Sequence, residues 1–369
     1  MVYGLGLDTF LCEEASISMK ILFVGESWLG SCARSLKEAL SRQSTVLLDE
    51  VNEDLFVPKH RTLWLRAINR ILKPAHLQEL YQQVLYRVEV FKPDIIMTYK
   101  GYPIEAGFIH QLRALGCIVV NVYPDYSPHA YGRIHKLAMG AYNLVVSTKP
   151  FHPELWKSMY GYDNQCVFVP QGYDSALHYV PEPVTEERFD VVIVANWRTQ
   201  YGELLDDLGK LLPDESIKVG LGGPGWTERM LQLPKHWEYL GAPHGRSYID
   251  CLRSARIAIA PVNRVVVIDG HKQPGDEDTT RTYELAAAHC FFIHRRTEFA
   301  KTLYDEDKEV PMFDDAQELA EKIRYYLPKE QLMRTMADEA HKRAVPAYSL
   351  DRRAQEIINK LDVFLENVR

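Results

Sequence analysis

Residues 276–289, DEDTTRTYELAAAH, gather acids, hydroxyls and a cation ahead of an alanine-rich apolar stretch. Arg281 and Glu284 lie three apart, so on a helix they share a face. At a helix start the first amides are unpaired and the dipole favours an anion. Asp278 or Thr279 is placed to cap such a helix, and Arg281 adds a full positive charge beside those amides. A nucleotide diphosphate lying across the helix would use the amides and Arg281 for phosphate, and the Glu284 carboxylate for the ribose diol. An exposed Arg281–Glu284 ion pair worth roughly 0.3 kcal/mol fits the same spacing. Residue types alone do not separate the two.

Other stretches come close to known motifs. GESWLGSC has the two-glycine spacing of a phosphate-binding loop, but Ser31 stands where that loop needs a lysine, which excludes an NTPase. What remains is a tight turn from Gly25 to Gly30, with Glu26 and Ser27, at the carboxyl end of the first strand, where α/β sheets bind ligands. Close strand–helix packing explains those glycines equally well. GLGGPG, residues 220–225, matches G-x-G-x-x-G literally but follows the second strand of its half, which argues against a dinucleotide site. It leaves Gly222 and Gly223 as a loop that a phosphate or base can approach. Asp276, Glu277 and Asp278 are read as a solvated turn, and no metal is expected.

The elements that position these residues follow from the hydrophobic pattern. From Met19 onward, apolar runs such as KILFVGE, PDIIMTYK and CIVVNVYP alternate with amphipathic helices, the pattern of a parallel sheet covered on both faces. ALHYVPEPVTEERF, with its prolines and charges, reads as a linker with a hinge near residues 176–188. The alternation restarts at FDVVIVAN and runs through CFFIHRR to DAQELAEKIRYYL. The fold class is therefore α/β, with two Rossmann-like doubly wound domains facing a central crevice. The first spans residues 19–178 and the second 186–348. A final helix over 349–366, with Ala354, Ile357, Ile358, Leu361, Phe364 and Leu365 on one stripe, packs back on the first domain. Residues 1–18 read as an upstream extension or loosely ordered tail, without the basic start of a signal peptide.

Composition narrows the function. A net charge of −7 over 369 residues argues against nucleic-acid binding, and no run is long and apolar enough to span a membrane. Six scattered cysteines without C-x-x-C spacing point to reduced thiols in a cytoplasmic protein. Residues 56–78 carry Lys59, Arg61, Arg66, Arg70 and Lys73 with no acid, interleaved with Trp64, Ile68, Ile71 and Leu72. Two readings stand: a helix with a solvated basic edge, or a peripheral contact with an anionic acceptor or the inner membrane face.

The run from Thr279 to Leu327 resembles the carboxyl-terminal signature of GT-B glycosyltransferases, and among them the spore-protein CgeB-like branch. The matching residues are Arg281, Tyr283, Glu284, Ala287, Glu309, Phe313, Glu318, Leu319, Ile323, Tyr325, Tyr326 and Leu327. PDIIMTYKGYP and VVNVYPDYSP resemble the same branch in the first half. The resemblance implies sugar transfer from a nucleotide-diphosphate sugar to a glycan, lipid or small-molecule acceptor, with no cofactor. A sugar-nucleotide epimerase or a non-catalytic nucleotide-sugar-binding protein would share the same site. It further implies that Glu284 meets the ribose and that Arg198 and Arg281 neutralise the departing diphosphate, with Thr279 and Thr280 beside them. The base would lie near His244 and the Gly222–Gly225 loop. Many retaining relatives have E-x7-E, and here Asp276 takes the first position, giving D-x7-E. An inverting enzyme needs a base; Asp125 is the first candidate, with His129 and His135 after it. Gly25, Glu26, Ser27, Gly101 and Tyr102 would line the acceptor side.

Overall fold

The computed structural model describes residues 19–57, 62–127, 133–161, 166–184, 187–268 and 271–368. The tail over residues 1–18, together with His129, Lys59 and Arg61, lies outside the described residues.

The first domain alternates β1 (Met19–Gly25), α1 (Cys32–Ser41), β2 (Val46–Asn52), α2 (Leu63–Phe91), β3 (Ile95–Tyr99), α3 (Ala106–Ala114), β4 (Ile118–Tyr123), α4 (Arg133–Met139), β5 (Leu144–Ser147), α5 (His152–Tyr160) and β6 (Cys166–Phe168). The six strands are parallel in the order β2-β1-β3-β4-β5-β6. Ile21, Met97 and Val122 face one apolar layer and Leu22, Ile96 and Tyr123 the other, so the sheet is covered on both sides. That double burial is why its strands are continuous Val, Ile and Leu runs rather than alternating ones.

The second domain holds β7 (Phe189–Val194), α6 (Thr199–Leu211), β8 (Val219–Gly222), β9 (Glu238–Tyr239), α7 (Arg246–Leu252), β10 (Ala255–Ala260), β11 (Val265–Ile268), β12 (His271–Pro274), α8 (Arg281–Ala287), β13 (Phe292–Arg295), α9 (Glu298–Leu303), β14 (Met312–Phe313), α10 (Ala316–Tyr326) and α11 (Glu330–Ala344). Its main sheet runs β14-β13-β10-β7-β8-β9. The strand order reverses between β7 and β10, and the loops leaving those two strands open a crevice at their carboxyl ends. The last helix, α12 (Leu350–Val368), returns to the first domain. There Ala354, Ile357, Ile358 and Leu361 join Leu36, Ala39 and Leu40 of α1 in one core. The chain thus passes between domains twice, and the two passages touch: Tyr173 N donates to Tyr348 O at 3.1 Å and Leu350 N to Tyr173 O at 2.8 Å.

Four features depart from the sequence pattern. The basic insertion and the helix after it fuse into the 29 residues of α2, which runs through Pro74. Pro74 removes the helical donor of the Arg70 carbonyl, and both residues are exposed. The β11–β12 hairpin interrupts the strand–helix alternation, and the Asp269–Gly270 pair in the sequence is the hairpin signal that marks it. Helix α11, carried by the stripe Met333, Met336, Ala337, Ala340 and Ala344, was hidden by its charged outer face. The linker is not a free strap: Val180 N bonds Ala287 O at 3.1 Å, and Arg253 bonds Glu182 O and Pro183 O. These bonds lace residues 180–183 to the second domain.

Candidate functional site

Helix α8 is seven residues long, held between β10 and β13 by buried Tyr283, Leu285 and Ala286. Thr280 occupies its N-cap position and makes no side-chain cap, which corrects the expectation for Asp278 or Thr279. Those residues are engaged elsewhere or left open. The Tyr283 hydroxyl donates to Asp278 Oδ2 at 2.5 Å, while Thr282 Oγ1 accepts from Thr279 N at 3.1 Å. Thr282 is itself fixed by His294, whose Nε2 lies 2.8 Å from the Thr282 hydroxyl.

The loops around α8 enclose a cleft of about 1110 Å³, lined among others by Asp125, Lys149, Asn196, Arg198, Asn263, Asp276, Thr279, Thr280 and Arg281. Asn196, Arg198 and Asn263 come from the loops leaving β7 and β10, the point where the strand order reverses. A cleft of this size accommodates a nucleotide sugar. Three buried polar atoms in its wall, Arg281 Nε, Asp278 Oδ1 and Thr279 Oγ1, have no hydrogen-bond partner among the described residues. Buried polar groups are nearly always satisfied, so three together mark a place built for a polar ligand.

Lys149, which the sequence reading missed, crosses the crevice from the carboxyl end of β5. Its Nζ lies 2.6 Å from Asp276 Oδ1, 3.6 Å from Asp278 Oδ1 and 3.3 Å from the Asp278 carbonyl. The side chain is 2% exposed. Burial opposes the ammonium charge, but Asp276 and Asp278 outweigh it and raise the Lys149 pKa above its usual value. Burial also pushes the Asp278 carboxyl up, and Lys149 and the Tyr283 hydroxyl oppose that shift. The sequence signal was a lone lysine two residues after the apolar strand LVVS.

Glu284 points elsewhere. It lines a smaller chamber with Gly30, Cys32, Tyr99, His178, Thr280 and Arg353, which adjoins the large cleft through Gln171 and Thr280. The Tyr248 hydroxyl donates to Glu284 Oε2 at 2.6 Å. His178 Nδ1 accepts from Asp174 N at 3.1 Å, leaving Nε2 to carry the proton 3.8 Å from Glu284 Oε1. Neither Tyr248 nor His178 was singled out in the sequence. The chamber holds about 50 Å³, room for a few waters and too little for a ribose. Arg281 and Glu284 therefore serve adjoining spaces rather than forming the simple surface pair that their spacing permits.

The remaining expected residues are placed as follows. Asp125 reaches the cleft wall and pairs with Lys100 at 3.1 Å. His135 is buried, its Nε2 3.1 Å from the Lys100 carbonyl. Gly222 and Gly223 line neither cavity. A Cβ on Gly223, where φ is +119°, would fall 2.1 Å from the Ala195 carbonyl oxygen, so this loop serves close packing on β7. His244 is exposed and meets the Trp28 ring edge-on at 5.7 Å across the crevice. Gly25 lies under Phe23 and Tyr99 in close packing. Glu26 accepts from the Ser31 hydroxyl at 3.0 Å, and Ser27 N donates to Asp54 at 2.9 Å. Gly101 turns with φ +70° against Tyr142, and Tyr102 is half exposed beneath Lys73. Among the described residues no cluster of His, Cys, Asp and Glu has the arrangement of a metal site.

Residues 198–359 match the family model described as glycosyl transferase-like. HepE of Anabaena, solved with UDP, superposes with a TM-score of 0.65 at 16% identity, covering 94% of this chain and all of that one. Sucrose-phosphate synthase of Thermosynechococcus elongatus gives 0.64 at 14% identity, covering 95% and 100%. A Listeria monocytogenes protein assigned as a UDP-N-acetylglucosamine 2-epimerase gives 0.57 at 10%, covering 96% and 98%. No curated protein sequence matches significantly. The fold is GT-B, and the second domain is glycosyl transferase-like.

Proposed function

We propose that this protein is a metal-independent glycosyltransferase that moves a sugar from a nucleotide-diphosphate sugar to an acceptor held against the first domain. The observation that carries the reading is the cleft beside α8, where Arg281 Nε, Asp278 Oδ1 and Thr279 Oγ1 have no hydrogen-bond partner among the described residues. Arg281 and Arg198 supply the charge that stabilises a departing diphosphate. Glu284 meets the ribose once the chamber between it and Gly30 widens, and Asp276 meets the donor sugar, exchanging Lys149 for sugar hydroxyls. The HepE likeness makes a uridine nucleotide the first donor to try. The D-x7-E spacing favours retention of anomeric configuration, which the coupling constant of the product's anomeric proton decides. The residues matched from Arg281 to Leu327 support a reading within the CgeB-like branch. Free thiols at Cys32, Cys117, Cys166, Cys251 and Cys290 suit a cytoplasmic enzyme.

The test is a thermal-shift screen of nucleoside diphosphates on wild type and Glu284→Ala. Stabilisation of the wild type by one nucleotide, much reduced in the variant, is the expected result. If no nucleoside diphosphate stabilises the wild type, the donor site is wrongly placed; an equal response from the variant removes only the ribose assignment. Product analysis separates transfer from epimerisation, since an epimerase turns over donor without an acceptor. Stabilisation without donor consumption across a broad acceptor panel would indicate a binding protein.

A further inference from the structure

The first third of α2 presents an apolar stripe to solvent. Trp64, Ile68, Ile71 and Leu72 are 62%, 45%, 79% and 46% exposed. Their spacing of four, three and one places them within about a 100° arc of the helix surface. The same helix buries Leu77, Leu80 and Val84 in the first domain's core, and at 3.6 residues per turn those positions fall on the opposite side. Helix α2 is therefore apolar on two faces, and only one of them is used by the fold.

Charge indicates what covers the other. Residues 56–78 contain five basic residues and no acid in a chain of net charge −7. Arg70 and Lys73 are exposed on the polar side of the same turns, with Lys73 Nζ 5.4 Å above the Tyr102 ring. An exposed stripe of Trp, Ile and Leu backed by Arg and Lys is the composition of a helix that lies in a membrane interface. A second copy of the chain would bring another acid-free basic segment and not complementary charge, whereas an anionic lipid surface supplies that charge. We propose that the segment Leu63–Lys73 docks this protein on an anionic lipid surface, with the apolar stripe inserted among the headgroups. Helix α2 starts on the carboxyl-edge side of the first sheet, and the loop after β3 that carries Tyr102 lies on that edge. Docking therefore sets one mouth of the crevice at the lipid surface. The inference is independent of the catalytic reading, and its test needs no turnover.

The experiment is flotation of the full chain with phosphatidylcholine–phosphatidylglycerol vesicles and with pure phosphatidylcholine vesicles, at low and high salt. The expected result is binding to the anionic vesicles that weakens with salt. Trp64→Ser, Ile68→Ser and Ile71→Ser combined should weaken it by more than about tenfold, and Arg70→Gln with Lys73→Gln should weaken it at low salt. The five side chains changed are exposed, so an unchanged melting temperature verifies that the variants fold; Ile71→Glu alone gives an independent check. Three outcomes overturn the proposal: no binding to anionic vesicles, binding that the triple variant leaves intact, or concentration-dependent self-association that the triple variant abolishes without any vesicle binding.

Discussion

Lys149 shows what a single side chain does in this crevice. Its ammonium is buried between two acids of the other domain, and removing one member of a buried ion pair leaves charge without a partner. Lys149→Met is expected to destabilise the protein by about 3 kcal/mol, measured by urea denaturation. Adding Asp276→Asn and Asp278→Asn should recover much of that loss, because the three residues form one coupled unit. Arg281 gives a different readout. Arg281→Met should weaken nucleoside-diphosphate binding by about 2 kcal/mol while leaving nucleoside binding nearly unchanged, as read by calorimetry. Arg198, Asp276, Thr279, Thr280 and Arg281 were visible in the sequence because their loops leave strand ends. Lys149, His178 and Tyr248 were not, since each acts on a residue at least 36 positions away and nothing local marks the partner. The glycines misled for a physical reason: tight packing and ligand approach both require a missing Cβ, and the sequence does not distinguish them.

At the level of elements, the periodic segments were legible because burial on both faces leaves unbroken apolar runs. The hairpin β11–β12 and helix α11 were harder, since exposed valines and a charged outer face blur the pattern. Helix α12 belongs to the first domain's core although it closes the chain, with Leu361 fully buried. Leu361→Ala should cost about 3 kcal/mol, and the loss should appear in hydrogen-exchange protection of β1 and α1 before it reaches the second domain. Gly223→Ala should do the opposite, loosening β7 and β8 first, because its methyl group would collide with the Ala195 carbonyl.

For the whole molecule, each domain buries a histidine that is held neutral, His152 in the first and His294 in the second. His152 accepts at Nδ1 from the Ser147 hydroxyl at 2.6 Å, and its Nε2 donates to the Tyr126 carbonyl at 3.0 Å. His294 donates from Nδ1 to the Arg295 carbonyl at 2.6 Å and accepts from Thr282. Burial lowers both pKa values from 6.5 to about 4. Because the folded values are depressed, the unfolded chain takes up protons first as the solution is acidified. Stability is full above pH 6.5 and falls as pH drops toward 4, by up to about 3 kcal/mol for each histidine. Urea midpoints measured across that window should fall for both domains, and His152→Asn with His294→Asn should flatten the slope.

The contact between Tyr173 and the Tyr348–Leu350 segment has a mechanical meaning. Two separate covalent crossings would brace the domains against twisting. Because these crossings are tied to each other at one bridge, they act as a single pivot. Rotation of one domain on the other about that point would have to break the Lys149–Asp276 contact across the crevice. The wall of the chamber beside Glu284 includes Gly172 and Leu350, next to the bridge, so its width would follow that backbone contact directly.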